Sequence, residues 1–152
     1  DDGRDLRFLD QRTFGGLTLA PLVDGIPGPV THIAPDPFEE CFDVDEVVRR
    51  LCARRSAIKR SLLDQTLVSG IGNIYADETL WRVRCHPETP CSRLSQSEAV
   101  ELLQTACDVM AEAMSQGGTS FDSLYVNVNG ESGWFSRVLD AYGREDEPLP
   151  PM

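Results

Sequence analysis

From Ser95 to Gly117 apolar residues return at intervals of four and three (Ala99, Leu103, Ala106, Met110, Ala113), and this spacing commits a long segment of the chain to an amphipathic helix. Its start is also marked. Ser95 and Glu98 stand at the spacing of a capping box, in which a hydroxyl and a carboxylate each satisfy a backbone N–H of the first turn. The same signals recur upstream. Asp43 and Glu46 precede Val47, Val48, Leu51 and Cys52, which predicts a helix over 45–54. A shorter helix is predicted over 57–65, and Ile74, Ala76, Leu80, Trp81 and Val83 mark a buried helix over 73–84 that Pro87 ends. Between these two runs lies LVSGIGN, whose Gly70 and Gly72 permit backbone angles closed to other residues. The expected unit is helix, glycine turn, helix.

The flanks are less regular. RDLRFLDQRTFGG is short, mixed and ends in a glycine pair, which suits a strand running into a loop. Pro21, Pro27, Pro29, Pro35 and Pro37 then predict a long irregular connector, because proline removes backbone donors. GGTSFDSLYVNVNGESGWF, rich in Gly, Ser and Asn, fits either a strand pair around VNVNG or a long ordered loop. SRVLDAYGRE fits one closing strand before the acidic, proline-rich EDEPLPPM. A chain of 152 residues is long enough to bury a core without metals or disulfides. Its five cysteines (Cys41, Cys52, Cys85, Cys91 and Cys107) form no CxxC pair, which points to thiols in a reducing compartment, with Cys52 and Cys107 on buried helical stripes. No apolar run approaches membrane-spanning length, and the opening residues lack the pattern of a secretory signal.

Charge pulls against nucleic acid at first sight. The net charge is −11, which repels phosphate at long range. The distribution is uneven, however. From Arg49 to Arg84 there are eight basic residues (Arg49, Arg50, Arg54, Arg55, Lys59, Arg60, Arg82, Arg84) against three acidic ones (Asp64, Asp77, Glu78), a local excess of five positive charges. On charge alone the solvated faces of helices account for such a cluster.

Amides at the start of a helix carry partial positive charge and lack internal partners, so a glycine-bearing turn ahead of one can seat a phosphate. Taken alone, glycines at a helix corner more often serve close packing. The whole run IKRSLLDQTLVSGIGNIYADETLW, from Ile58 to Trp81, resembles the helix-two-turn-helix signature of the formamidopyrimidine-DNA glycosylase and endonuclease VIII family, and the resemblance extends from about Arg4 to Pro148. It implies double-stranded DNA, damaged or abasic, as the partner. Lys59 and Asn73 then match phosphate contacts, with Gly72 in the turn and Arg54 as a further basic contact. Without the resemblance, Lys59 reads as a solvated lysine and Asn73 as a helix cap. At the front, DQRTFGG resembles a loop whose Arg and Phe, here Arg12 and Phe14, enter the space left by an everted base. There a flat cation hydrogen-bonds the orphaned partner base and a ring offsets lost stacking. Read by themselves, the two are a surface charge and a core aromatic. GGTSFDSLYVNVNGESGWF resembles the family's mobile loop over the everted base, and DAYGRE a strand whose Tyr142 and Gly143 approach the DNA backbone.

The resemblance also implies what should be missing. The family's chemistry uses an N-terminal proline amine, a neighbouring glutamate and a lysine of its first domain. Residues 1 and 2 here are Asp1 and Asp2, so no catalytic residue is assigned. Leu149 stands where the family's first zinc-binding cysteine would be, so no metal or other cofactor is expected. The expected fold class is mainly α: a helix-two-turn-helix DNA-binding domain with a short N-terminal strand or loop and a small β element at the C-terminus. Its expected parts are a remnant of a β-sandwich over 1–20, a proline-rich linker over 21–42, the helical domain over 43–133 and a truncated start of a zinc-finger region over 134–152. The implied function is the DNA-binding portion of a base-excision-repair glycosylase and AP lyase for oxidised purines, itself without catalysis, a monomer in the bacterial cytoplasm at the nucleoid. Two other readings stay open: a stand-alone, non-enzymatic DNA-binding module, and an acidic protein-interaction remnant, which the net charge favours.

Overall fold

The structure is a computed structural model that describes residues 3, 8, 10, 14–119, 133–135 and 138–144. It comprises two compact units, Asp1–His32 and Ile33–Met152. In the first, β1 (Leu22–Val23) and β2 (Ile26–Pro27) form an antiparallel hairpin, with Leu22 opposite Pro27 and Val23 opposite Ile26. Asp24 and Gly25 turn the corner at φ of 51° and 84°, the doubly left-handed geometry that matches strand twist in a two-residue hairpin. The expectation of irregular chain across the proline-rich stretch is corrected to this extent. Proline excludes pairing only where its missing N–H is needed, and Pro27 sits in the outermost pair of an edge. No strand occurs among the described residues of 1–20.

The second unit is helical. It holds α1 (Val44–Cys52), α2 (Ile58–Leu62), α3 (Asn73–Arg82) and α4 (Gln96–Ser115), with a short 3-10 turn at Cys91–Arg93. Asp43 caps α1 by accepting from the Glu46 N–H, and Ser95 and Glu98 cap α4 reciprocally. α4 packs on both α1 and α3. The shared core includes Val47, Val48, Leu51, Ile58, Leu62, Leu67, Ile71, Ala76, Leu80, Leu102 and Leu103. Each fully buried Leu or Ile side chain there contributes roughly 1.5–3 kcal/mol. A second cluster, Val109, Ala113, Phe135 and Leu139, lies further along α4.

The helices end earlier than their periodicity predicts. After α2, Asp64 accepts from the Thr66 N–H and pulls the chain into a turn. After α3, Arg84 adopts φ 56° and Cys85 N–H donates to the Leu80 carbonyl at 2.9 Å, a Schellman-type stop without the usual glycine. Three burial expectations also change. Trp81 is half-buried at the edge of α3, not in the core, while Cys52 and Cys107 are half-buried and Cys91 is the fully buried cysteine. Residues 138–144 form bends and turns in place of the expected closing strand, whereas an isolated antiparallel bridge between Thr119 and Trp134 supplies a small β element. The VNVNG segment lies outside the described residues.

Candidate nucleic-acid interface

The chain between α2 and α3 is held by side chains on two sides. The Asp64 carboxylate accepts from the Thr66 N–H at 3.0 Å, the Thr66 hydroxyl at 2.7 Å and the Arg54 guanidinium at 2.7 Å. The Thr66 hydroxyl first, then Arg54, hold this carboxyl down at about 2. On the other side the Gln65 amide donates to the carbonyls of Leu63 (3.2 Å) and Ile71 (3.0 Å), and its oxygen accepts from the Gly70 N–H at 2.9 Å. Ala34 N–H donates to the Gln65 carbonyl at 2.8 Å. Gly70 adopts φ 87°, which favours glycine, while the atoms nearest a Cβ there, an Asp36 carboxylate oxygen and the Met110 methyl, are ends of flexible side chains that can give way.

This clamped turn delivers an open helix start. Gly72, not Asn73, is the N-cap of α3, with extended backbone and no side-chain cap, and Asn73 is the exposed first helical residue. The first bond inside the helix runs from Ala76 N–H to the Gly72 carbonyl, so the N–H groups of Asn73, Ile74 and Tyr75 have no acceptor inside the helix. A Cβ on Gly72 would meet nothing within 4 Å. The start of α2 differs, because Ile58 N–H donates to the Thr89 carbonyl at 2.9 Å and Lys59 N–H to that of Pro87 at 3.2 Å. Of the two helices, α3 is the one left with the geometry to receive an anion.

Of the three cations nominated from sequence, Lys59 and Arg54 are paired. Lys59, the chain's one lysine, lies 2.7 Å from Oδ1 and 2.9 Å from Oδ2 of Asp77. Arg54 lies 2.7 Å from Asp64. Arg49 pairs with Glu46 and Arg82 with Glu112. Within the basic stretch this leaves Arg50, Arg55, Arg60 and Arg84 without an ion-pair partner among the described residues, and Arg50 donates to the Thr66 carbonyl at 2.9 Å. Within this stretch the unpaired charge is therefore carried by arginines other than Arg54, among the described residues.

Glu78 had no sequence signal beyond being an acid in a basic stretch. It is fully buried, and its carboxylate accepts from the backbone N–H groups of Asp140 (3.0 Å), Ala141 (2.8 Å) and Tyr142 (2.9 Å). Three donors on one carboxylate offset the cost of burying its charge. Tyr142 is thereby drawn inward and packs beside Phe135 and Leu139, while Gly143 is exposed at φ 81°. Phe14 is 81% exposed, and Arg12 lies outside the described residues. An open cavity of about 500 Å³ adjoins the far end of α3, lined by Leu80, Trp81, Arg84, His86, Pro87 and Ala141 among others. Among the described residues no group of three His, Cys, Asp or Glu side chains is placed to hold a metal. No helix among them is long and apolar enough to cross a membrane.

Comparison with known proteins bears on the same segment. Residues 33–124 match the model of the formamidopyrimidine-DNA glycosylase H2TH domain. A formamidopyrimidine-DNA glycosylase of Mycolicibacterium vanbaalenii is 62% identical over 152 residues, covering 97% of this chain and 52% of the relative. That of Rhodococcus jostii is 58% identical over 154 residues, covering 99% and 53%. The chain thus spans about half the length of the curated relatives it matches. Among solved structures, the MutM (Fpg) protein of Thermus thermophilus superimposes with a TM-score of 0.73 at 34% identity, over 82% of this chain and 50% of that one. Lactococcus lactis Fpg in complex with abasic-site DNA gives 0.70 at 35%, over 78% and 43%.

Proposed function

The chain belongs to the formamidopyrimidine-DNA glycosylase family through its helix-two-turn-helix domain, and on that premise we propose that it is the part of a base-excision-repair glycosylase and AP lyase for oxidised purines that grips damaged or abasic duplex DNA. One observation carries the reading: a turn fixed by Gln65 and Asp64 opens onto the uncapped start of α3, where an exposed Asn73 and three N–H groups without intrahelical acceptors can receive a phosphate. The arginines without carboxylate partners among the described residues, Arg50, Arg55 and Arg60, add the local positive field that the net charge of −11 lacks. Relatives of similar fold are described with lesion-bearing and abasic DNA, which supports the same class of partner here. In this reading the protein acts as a monomer on DNA in the bacterial cytoplasm, and Arg12, Phe14, Tyr142 and Gly143 remain candidate contacts.

The 152 residues bind without excising a base or cutting a strand. A nucleophilic amine must present a free lone pair, and the chain's one lysine instead donates to a carboxylate. Borohydride trapping on an abasic duplex is expected to leave no adduct that turns over. The binding itself is tested by fluorescence titration of an abasic-analogue duplex across salt concentrations. Weak affinity is expected, with a dependence on salt corresponding to about two to four neutralised phosphates. Absence of binding at the lowest salt would remove the DNA reading.

A further inference from the structure

We propose that Asp77 sets the strength and the salt dependence of DNA binding by cancelling the charge of Lys59. The inference rests on the DNA-binding reading above and adds a residue that works against affinity. Lys59 Nζ contacts both carboxylate oxygens of Asp77, at 2.7 and 2.9 Å, with the two side chains 30% and 23% exposed. The pair joins α2 to α3 and is half-shielded from the screening that would make a fully exposed pair irrelevant. Asp77 follows Asn73 by four residues, so it stands on the same face of α3 one turn behind the open N–H groups. A phosphate seated at those groups therefore meets a neutral pair where the sequence promised a full positive charge.

An ammonium has three N–H donors, and its one hydrogen bond to Asp77 Oδ2 leaves donors that can still orient toward a phosphate oxygen. A neutral pair, however, offsets little phosphate charge and so releases few counterions on binding. Lys59 contributes aim, and Asp77 removes most of its contribution to salt-dependent affinity. The other nominated pair is unlike it. Asp64 accepts from Thr66 as well as Arg54 and belongs to the scaffold of the turn, whereas Lys59 is the only hydrogen-bonding or ion-pair partner of the Asp77 side chain among the described residues. Neutralising Asp77 should thus free a charge without dismantling the turn.

The test compares the 152-residue chain with Asp77→Asn, Lys59→Ala and the double variant, each titrated with an abasic-analogue duplex at several salt concentrations, with thermal melting as the check on folding. Asp77→Asn is expected to bind about fivefold tighter at low salt, with a salt slope steeper by about one phosphate, so that its advantage shrinks about threefold between roughly 50 and 200 mM salt. Lys59→Ala should weaken binding in both backgrounds: in the native chain it leaves Asp77 as an unpaired carboxylate near the phosphate, and in the Asp77→Asn background it returns affinity to about the native level. Asp77→Ser must reproduce the Asp77→Asn result if the asparagine variant melts early. Equal or weaker binding by folded Asp77→Asn, or an unchanged slope, would overturn the inference while leaving the DNA reading intact. Failure of the native chain and of every variant to bind would overturn both.

Discussion

α3 and α4 pack against each other, and each follows a residue with extended backbone, yet only one is completed by its own sequence. α4 runs for twenty residues, and at its start Ser95 Oγ accepts from the Glu98 N–H while the Glu98 carboxylate accepts from the Ser95 N–H. α3 runs for ten, starts after a glycine without a side-chain cap, and directs its acids elsewhere: Asp77 to α2 and Glu78 to the backbone of residues 140–142. A ten-residue helix without a cap is marginal by itself in water, so tertiary contacts must hold α3 in place. The difference separates two uses of the same secondary structure. α4 caps its own start and serves as scaffold, whereas α3 leaves its start uncapped, as the proposed DNA contact requires.

The largest test of this contrast is the acid that anchors α3. Glu78→Ala removes the acceptor of three buried-side N–H groups and is expected to cost about 3 kcal/mol or more in urea denaturation. Glu101→Ala on the exposed face of α4 should stay within about 0.5 kcal/mol. Equal losses for the two would mean that α3 does not depend on contacts outside itself.

Exchanging the caps gives a middle-sized effect with opposite signs in two assays. Ser95→Ala should cost about 1 kcal/mol of stability and leave DNA affinity unchanged. Gly72→Asp should hold or raise stability by a few tenths of a kcal/mol, since a Cβ there meets open space. It should nevertheless reduce DNA affinity about tenfold, because a carboxylate then occupies the anion's place. A Gly72→Asp protein that binds duplex as well as the native chain would place the DNA contact somewhere other than the start of α3.

What could be read from the sequence follows the range of the interactions. The starts of α1 and α4 and the place of the turn were legible because Asp43, Ser95, Gly70 and Gly72 act on residues three or fewer away. Even there Glu46 departs from its expected role, since its carboxylate turns to Arg49 at 2.6 and 2.8 Å and only Asp43 caps α1. Glu78 was not legible, as its partners lie 62 to 64 residues away. Nor did composition reveal that Lys59 and Arg54 carry carboxylate partners, because a count of charges says nothing of which ones meet. Trp81 fits the apolar period of α3, but periodicity gives a direction and not a depth, and at the helix edge it borders a cavity.

The smallest expected effect lies in acid, where the turn before α3 and the cap of α4 depend on carboxylates in similar ways. The Ser95 hydroxyl, then its backbone N–H, hold the Glu98 carboxyl below its ordinary 4.5, and the Thr66 hydroxyl, then Arg54, hold Asp64 at about 2 against an ordinary 3.8. A carboxyl depressed by folding is protonated first in the unfolded chain. Its stabilising share is complete above the unfolded value and is lost as pH falls through the folded one. For Asp64 the loss therefore runs from about pH 3.8 down to about 2, and for a pair this near solvent it should amount to less than about 1 kcal/mol. The discriminating measurement is a carboxyl titration by NMR. Thr66→Val and Arg54→Gln should each raise the Asp64 titration, since the first removes a hydroxyl donor and the second a guanidinium donor together with its charge. An Asp64 titration unmoved by Thr66→Val would make the Arg54 pair, and not the Asp64–Thr66 turn, the element that fixes the approach to α3.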